Sequence, residues 1–475
     1  MPRPALVASP FGWTGPGQTA PDLRSRAPRL WPRTVGAVGA ILALVGMLAL
    51  VGILAVAWLS RGDTLPADSL AARGYPRVVI MPFVAVDSSE GSRALSASLG
   101  AELIHDLRHF EGFRIYQPPD GSDLVSIAAK LRGEPGALYA VYGQIQAEGA
   151  WARINASLHD LRTEEVIWNA AYDVAIAPGA LVDLRDAVAG RIATALGQPY
   201  GPISEDLGRS NSSAQPASLD SYRCVLASYD YRRNFSSTAY GPMLACLEAA
   251  VARDPEYSDA WAMLGWLHLD AGRYEFPGAA PMEAEYTAAL AAARHAQALA
   301  PESVLALKAL SSIQHYRGRY DESERLARRA VELNPHDPDS LAQLGWRLAV
   351  RGKFDEGVPL LRQAIDRTVD PPGWYFHLIA IDHLMKGDYA AMRREAERAA
   401  LSGRPIAEAL LAIAAGGLGD RETARAALNR IDPGSLIGRD AATYFRRHGA
   451  TEEIVTALMD GLDRARRLAA DPPPR

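Results

Sequence analysis

Of the side chains that can do covalent or metal chemistry, the 475-residue sequence offers two cysteines, Cys224 and Cys246, and ten histidines. The histidines never fall into His-Glu-x-x-His, the spacing that sets two imidazoles and a general base on one helical face, and no Cys-x-x-Cys occurs. His377 and His383, six residues apart, do not share a helical face well. There is no Gly-x-x-x-x-Gly-Lys-[Ser/Thr] loop to cradle a phosphate and no Gly-x-Ser-x-Gly elbow to present a nucleophilic serine. Asp321-Glu322-Ser323-Glu324 and His336-Asp337-Pro338-Asp339 read as helix starts, where acids favour the helix dipole. The expectation is a non-enzymatic chain with no catalytic residue, no cofactor and no metal.

The cysteines suit a structural role instead. Asn234-Phe235-Ser236-Ser237 reads as a turn between two helices, and Phe235 stands midway between Cys224 and Cys246. In an antiparallel hairpin, residues equidistant from the turn lie side by side, so a disulfide is geometrically feasible in an oxidising compartment. Two buried free thiols in a helix interface are the alternative.

The compartment follows from the elements that must position these groups. Val35–Leu59 carries no charge and as a helix would measure about 37 Å, enough to span a hydrocarbon core. Arg3, Arg24, Arg26, Arg29 and Arg33 precede it against a single acid, Asp22, which puts the N-terminus in the cytoplasm. Ala55-Val56-Ala57 resembles a signal-peptide processing site, but the apolar run exceeds the usual signal core. Gly39, Ala43 and Gly46 share a helical face that would suit a homodimer. The expected address is the bacterial inner membrane, single-pass, with a disordered cytoplasmic leader over 1–34, the span over 35–59 and a linker over 60–76. With a formal net charge of −5 and no sustained basic block, nucleic acid is not an expected partner.

Beyond the linker, Arg77–Phe83 reads as a buried strand and Leu95, Leu99, Leu103 and Leu107 as one face of a helix. A strand over Phe113–Gln117 leads to a short helix with Leu124, Ala128 and Leu131 on one side. Leu138–Gln146, Ala152–His159 and Val166–Tyr172 alternate as an antiparallel meander, and a helix carrying Leu184, Val188 and Ile192 closes the domain, 77–200. This order, with Val78-Val79-Ile80-Met81-Pro82-Phe83, Tyr142-Gly143-Gln144-Ile145 and Glu165-Val166-Ile167-Trp168, resembles the TolB amino-terminal-type domain. Such domains lie between the membrane helix and the repeats of many bacterial adenylate cyclases and winged-helix regulators. The resemblance implies a fold and no catalytic residue. No segment is left for the metal-binding carboxylates of a cyclase.

Residues 201–217, rich in Ser and Pro, read as a linker. From 218 to 437 a period emerges. Gly272 and Tyr274, Gly318 and Tyr320, and Gly352 and Phe354 recur after similar helix starts, and Ala250 with Pro255, Ala296 with Pro301, and Ala330 with Pro335 stand five apart. Gly318 and Gly352 are 34 residues apart, and weaker copies run through Gly387 with Tyr389 and Gly419 with Ala424. The pattern resembles tetratricopeptide repeats, interrupted by extra residues over Glu275–Glu285. The resemblance implies that the first helix of each unit lines a concave partner groove, here Trp266, Lys308, Ser312, His315, Trp346, Trp374 and His377, suited to a protein or peptide. Residues 438–470 read as capping helices and 471–475 as a tail. The fold class expected is an α+β mixed domain followed by an all-α tetratricopeptide-like solenoid, with a single N-terminal transmembrane helix. Two functions fit: a periplasmic protein–protein interaction scaffold, or a sensory or regulatory subunit whose output domain lies on another chain.

Overall fold

The computed structural model describes residues 76–118, 127, 138–176, 180–199, 201–209, 217–368, 371–401 and 404–470. The leader, the transmembrane segment over 35–59, the first linker and the tail lie outside the described residues, as does nearly all of the helix expected around Leu124. Among the described residues no helix is long and apolar enough to cross a membrane.

The first part is a mixed sheet: β1 (Arg77–Ile80), β2 (Val84–Ala85), β3 (Arg114–Tyr116), β4 (Leu138–Glu148), β5 (Trp151–Asp160) and β6 (Glu165–Ala175). Its order is β3-β1-β4-β5-β6, with β2 also beside β4. β1 runs parallel to β3 and β4, while β4, β5 and β6 form the antiparallel meander, with a bulge between Leu158 and His159. β1 stops at Ile80, shorter than the apolar run Arg77–Phe83, because Pro82 has no N–H to continue the ladder. Helices α1 (Glu90–Leu107) and α2 (Leu181–Gly197) pack together, and Leu95, Leu99, Leu103, Val188 and Ile192 join Val78, Ile80, Val141 and Ile154 in one core. Period-two alternation in strands and period-3.6 patterning in helices put these residues on facing surfaces.

The stretch expected as a linker over 201–217 is partly helical. α3 (Pro202–Arg209) follows at once, begun by a proline that fits the first helical turn. The array starts with α4 (Ala217–Asn234) and α5 (Tyr240–Arg253), joined across Phe235 at φ 51°. Then come the pairs α6 (Ser258–Tyr274) and α7 (Met282–Leu299), α8 (Val304–Tyr316) and α9 (Tyr320–Leu333), and α10 (Pro338–Val350) and α11 (Phe354–Arg367). α12 (His377–Met385) pairs with α13 (Tyr389–Ala400), and α14 (Pro405–Leu418) with α15 (Arg421–Arg430).

Gly318, Gly352, Gly387 and Gly419 have φ between 72° and 83° and turn each first helix into its second, a conformation that penalises any Cβ. Gly272 differs from the expected pattern. It lies inside α6, which runs on until Glu275 closes it in the left-handed region. Gly272 is needed for close packing instead, since a Cβ there would stand 3.0 Å from Glu285 and Tyr286. The extra residues between α6 and α7 form a loop that tucks Phe276 into the core.

The sheet part and the array are one packed body. Asn334 Nδ2 donates to the His109 carbonyl at 2.9 Å, Thr194 Oγ1 to the His336 carbonyl at 3.0 Å and Ser303 Oγ to Glu111 at 3.1 Å.

The C-terminal helices also do more than cap. α18 (Glu452–Ala470) covers α14 and α15, as expected of a cap. α16 (Leu436–Arg439) and α17 (Ala441–Arg447) lead into a turn that folds onto the inner wall. There the His448 carbonyl accepts from His315 Nε2 at 3.0 Å, the Gly449 carbonyl from Arg351 at 2.7 Å, and Arg447 donates to the Arg273 carbonyl at 3.2 Å.

Candidate functional site

The first helices of the pairs, α6, α8, α10 and α12, present their inner faces to one another, and α17 lies across them. Between them is a cavity of about 90 Å³. By the volume one water needs, this holds on the order of six to nine waters.

Five of the seven groove residues expected from the sequence line this cavity: Trp266, Ser312, Trp346, Trp374 and His377. Trp346 and Trp374 are half-buried, Trp266 is 1% exposed and His377 7%. The other two belong elsewhere. Lys308, 3% exposed, turns away to Asp337 and Asp339 at 2.8 and 2.9 Å. Asp337 is also the cap of α10, accepting from the Asp339 and Ser340 amides, so the lysine neutralises a helix start. His315, 2% exposed, is spent on the His448 carbonyl. The expected open groove is therefore corrected: the chain's own C-terminal segment occupies the middle of it.

Sequence reasoning missed the arginines. Arg232, Arg273, Arg347 and Arg404 all line the cavity. The Arg232 guanidinium lies 3.6 Å from the centre of the Trp266 ring, and Arg404 sits 4.6 Å from that of Phe235, so aromatic faces carry part of the charge. Arg273 donates to the Tyr316 hydroxyl at 2.5 Å and stands 2.7 Å from Asp270, without the alignment of a hydrogen bond. Arg347 is held by neutral groups only: Ser323, Ser312 and the carbonyl and side chain of Gln343. Burial, followed by the charges of Arg232 and Arg273, pulls it down to about 10.

Three histidines stand beside these cations as neutral imidazoles. Burial first, then Arg347, holds His315 down to about 3, and burial with Arg404 does the same to His377. His448 is held well below its usual range by burial and Arg273. Its Nδ1 is 2.8 Å from the Tyr444 carbonyl and must donate to it, which leaves Nε2 an acceptor, and that atom has no partner.

Away from the cavity, Glu102, His105 and Asp106 of α1 bring potential metal-ligand atoms within 4.8 Å of one another. Arg185 already lies 3.1 Å from Glu102, and His336 3.4 Å from Asp106. The cysteines form a disulfide, with Cα atoms 5.7 Å apart, between α4 and α5.

The tetratricopeptide repeat family matches residues 244–275, so the chain carries such a repeat at the α5–α6 junction. No curated protein matches the chain. Among solved structures it is similar to PilF of Pseudomonas aeruginosa at 18% identity, covering 47% of this chain and 97% of that one, TM-score 0.34. PilW, a type IV pilus biogenesis factor, aligns at 16% identity over 50% of this chain and 98% of that one, TM-score 0.34. Human IFIT1 aligns at 13% identity over 61% of this chain and 66% of that one, TM-score 0.40.

Proposed function

We propose that this tetratricopeptide-containing chain is a non-enzymatic interaction scaffold, anchored in the inner membrane through residues 35–59, with its folded part in the periplasm. The observation that carries the reading is the repeat array itself. Its inner wall offers Trp346 and Trp374, half-buried aromatics of the kind that anchor a protein or peptide partner. The address rests on the arginine excess before the apolar run and on the Cys224–Cys246 bond, which an oxidising compartment permits. The experiment is photo-crosslinking from a reactive residue placed at Trp374 in cells. Capture of a specific periplasmic protein, lost when the probe is moved to the far end of α18, supports the scaffold. Products confined to the chain's own C-terminal segment count against it.

The second reading, a sensory or regulatory subunit with its output on another chain, is favoured by one observation: the cavity between the inner helices, about 90 Å³, has room for a small molecule. The resemblance of 77–200 to domains of cyclases and regulators points the same way. Crosslinking from the leader, residues 1–34, to a cytoplasmic enzyme or regulator distinguishes it.

A further inference from the structure

The cavity has a charge problem that the fold does not solve. Four arginines, Arg232, Arg273, Arg347 and Arg404, line it, and among the described residues that line it there is no carboxylate; Asp270, behind the wall, stands 3.8 Å from Arg232 and 2.7 Å from Arg273. Buried charges are tolerated when paired, and an unpaired one costs several kcal/mol even after relaxation.

Polar satisfaction is also incomplete around the cavity. Nη1 of Arg232 and Nε of Arg273 are buried donors without a hydrogen-bond acceptor, and Nε2 of His377 and of His448 are buried without partners. These four residues are each more than nine-tenths buried, and all line the same cavity. Buried polar groups are nearly always bonded, so four orphans around one void mark a place where something else supplies the partners.

We infer that the cavity is a binding site for a compact oxyanion that also carries an O–H donor, of the class of hydrogen phosphate or a small hydroxycarboxylate. The anionic oxygens would accept from Arg232 and Arg273, and the hydroxyl would donate to His448 Nε2. The volume, on the order of that of six to nine waters, admits a compact ligand. The surrounding rings, Phe235, Trp266 and Trp346 among them, lower the local dielectric, which strengthens each contact to the anion. The site shares Trp346 and Trp374 with the inner wall of the scaffold reading, but it is tested without any partner, so the two readings fail separately.

The test is titration of the detergent-solubilised full chain with inorganic phosphate and separately with malate, using chloride at matched ionic strength as control. Trp266, Trp346 and Trp374 line the cavity and report through tryptophan emission. A saturable change with phosphate alone identifies a phosphate-type ligand, with malate alone a carboxylate, and with both a shared oxyanion subsite. Each supports the inference if chloride is silent. Arg273→Met is expected to weaken the response at least tenfold. Arg232→Lys, which keeps the charge but loses the guanidinium fork, should weaken it less and serves if the first variant fails to fold. No saturable response from the folded chain with either probe, or affinity unchanged in the folded variants, overturns the site whatever crosslinking at Trp374 shows.

Discussion

Mild acid should destabilise this protein well before its carboxylates titrate. His315 and His377 are held near 3 in the folded chain, and His448 well below its usual range. In the unfolded chain a histidine titrates at about 6.5. A group whose folded value is depressed below the unfolded one and that is neutral when deprotonated favours unfolding as pH falls. Below about 6.5 the unfolded state takes up a proton that the folded state refuses, so stability declines from there down towards about 3. From pH 6.5 to 5.0 the loss is about 2 kcal/mol per histidine, at about 1.36 kcal/mol per pH unit. His315 and His377 together reach about 4 kcal/mol, a large part of the margin of a typical domain, and His448 acts in the same direction. Asp339 is held low despite burial, chiefly by Lys308, so the stability it contributes is present above about 3.9 and lost below that, outside the window. The assay is urea denaturation at pH 7.0 and 5.0, followed by tryptophan emission. His377→Leu, which removes an imidazole whose Nε2 has no partner, should shrink the pH difference by about 2 kcal/mol. A wild-type difference under about 1 kcal/mol, or an unchanged difference in the folded variant, would refute the neutral-histidine argument.

Three more outcomes are expected. Lys308→Ala leaves Asp337 and Asp339 buried without their cation and should cost about 3–5 kcal/mol by denaturation, partly restored by adding Asp339→Asn. Replacing both Cys224 and Cys246 with serine opens a loop spanning 22 positions and should lower stability by about 3 kcal/mol on the chain-entropy account, while the exported wild type should resist alkylation until reduced. Asn334→Ala removes a donor to the His109 carbonyl and an acceptor for the His336 amide, and should cost about 1–3 kcal/mol, with raised hydrogen exchange in the turn around His109.

The repeats were legible because their turns impose a chemical demand. A left-handed backbone favours glycine, and Gly318, Gly352, Gly387 and Gly419 meet it at near-constant spacing. Gly272 has the same spacing from its aromatic but answers to the proximity of α7, a fact held by two helices and by no local pattern. The meander was legible for a similar reason, since strict alternation along β5 allows one buried face. The cavity was half legible. Helical spacing located Trp266, Trp346 and Trp374, while the arginines among them look like surface residues in a linear reading. The one available signal was Arg347, set in Leu344-Gly345-Trp346-Arg347-Leu348-Ala349-Val350 with no acid nearby to pair with it. Lys308 was misplaced because its partners come from the start of the next unit, some 29 residues on. That α17 folds inward depends on where its residues meet α6, α8 and α10, which no periodicity encodes.

This inward fold changes what kind of object the array is. A helical-repeat protein in which each unit touches only its neighbours behaves as a one-dimensional chain, free to fray from either end and to tolerate loss of a terminal unit. Here the turn after α17 bonds the ends of α6, α8 and α10, and Arg439 and Arg447 both pair with Glu275, at 2.8 and 2.9 Å. The last helices thus close a loop through residues more than 150 positions earlier. Unfolding should be a single cooperative event across the repeats, and during synthesis the inner wall cannot be completed until nearly the whole polypeptide has emerged.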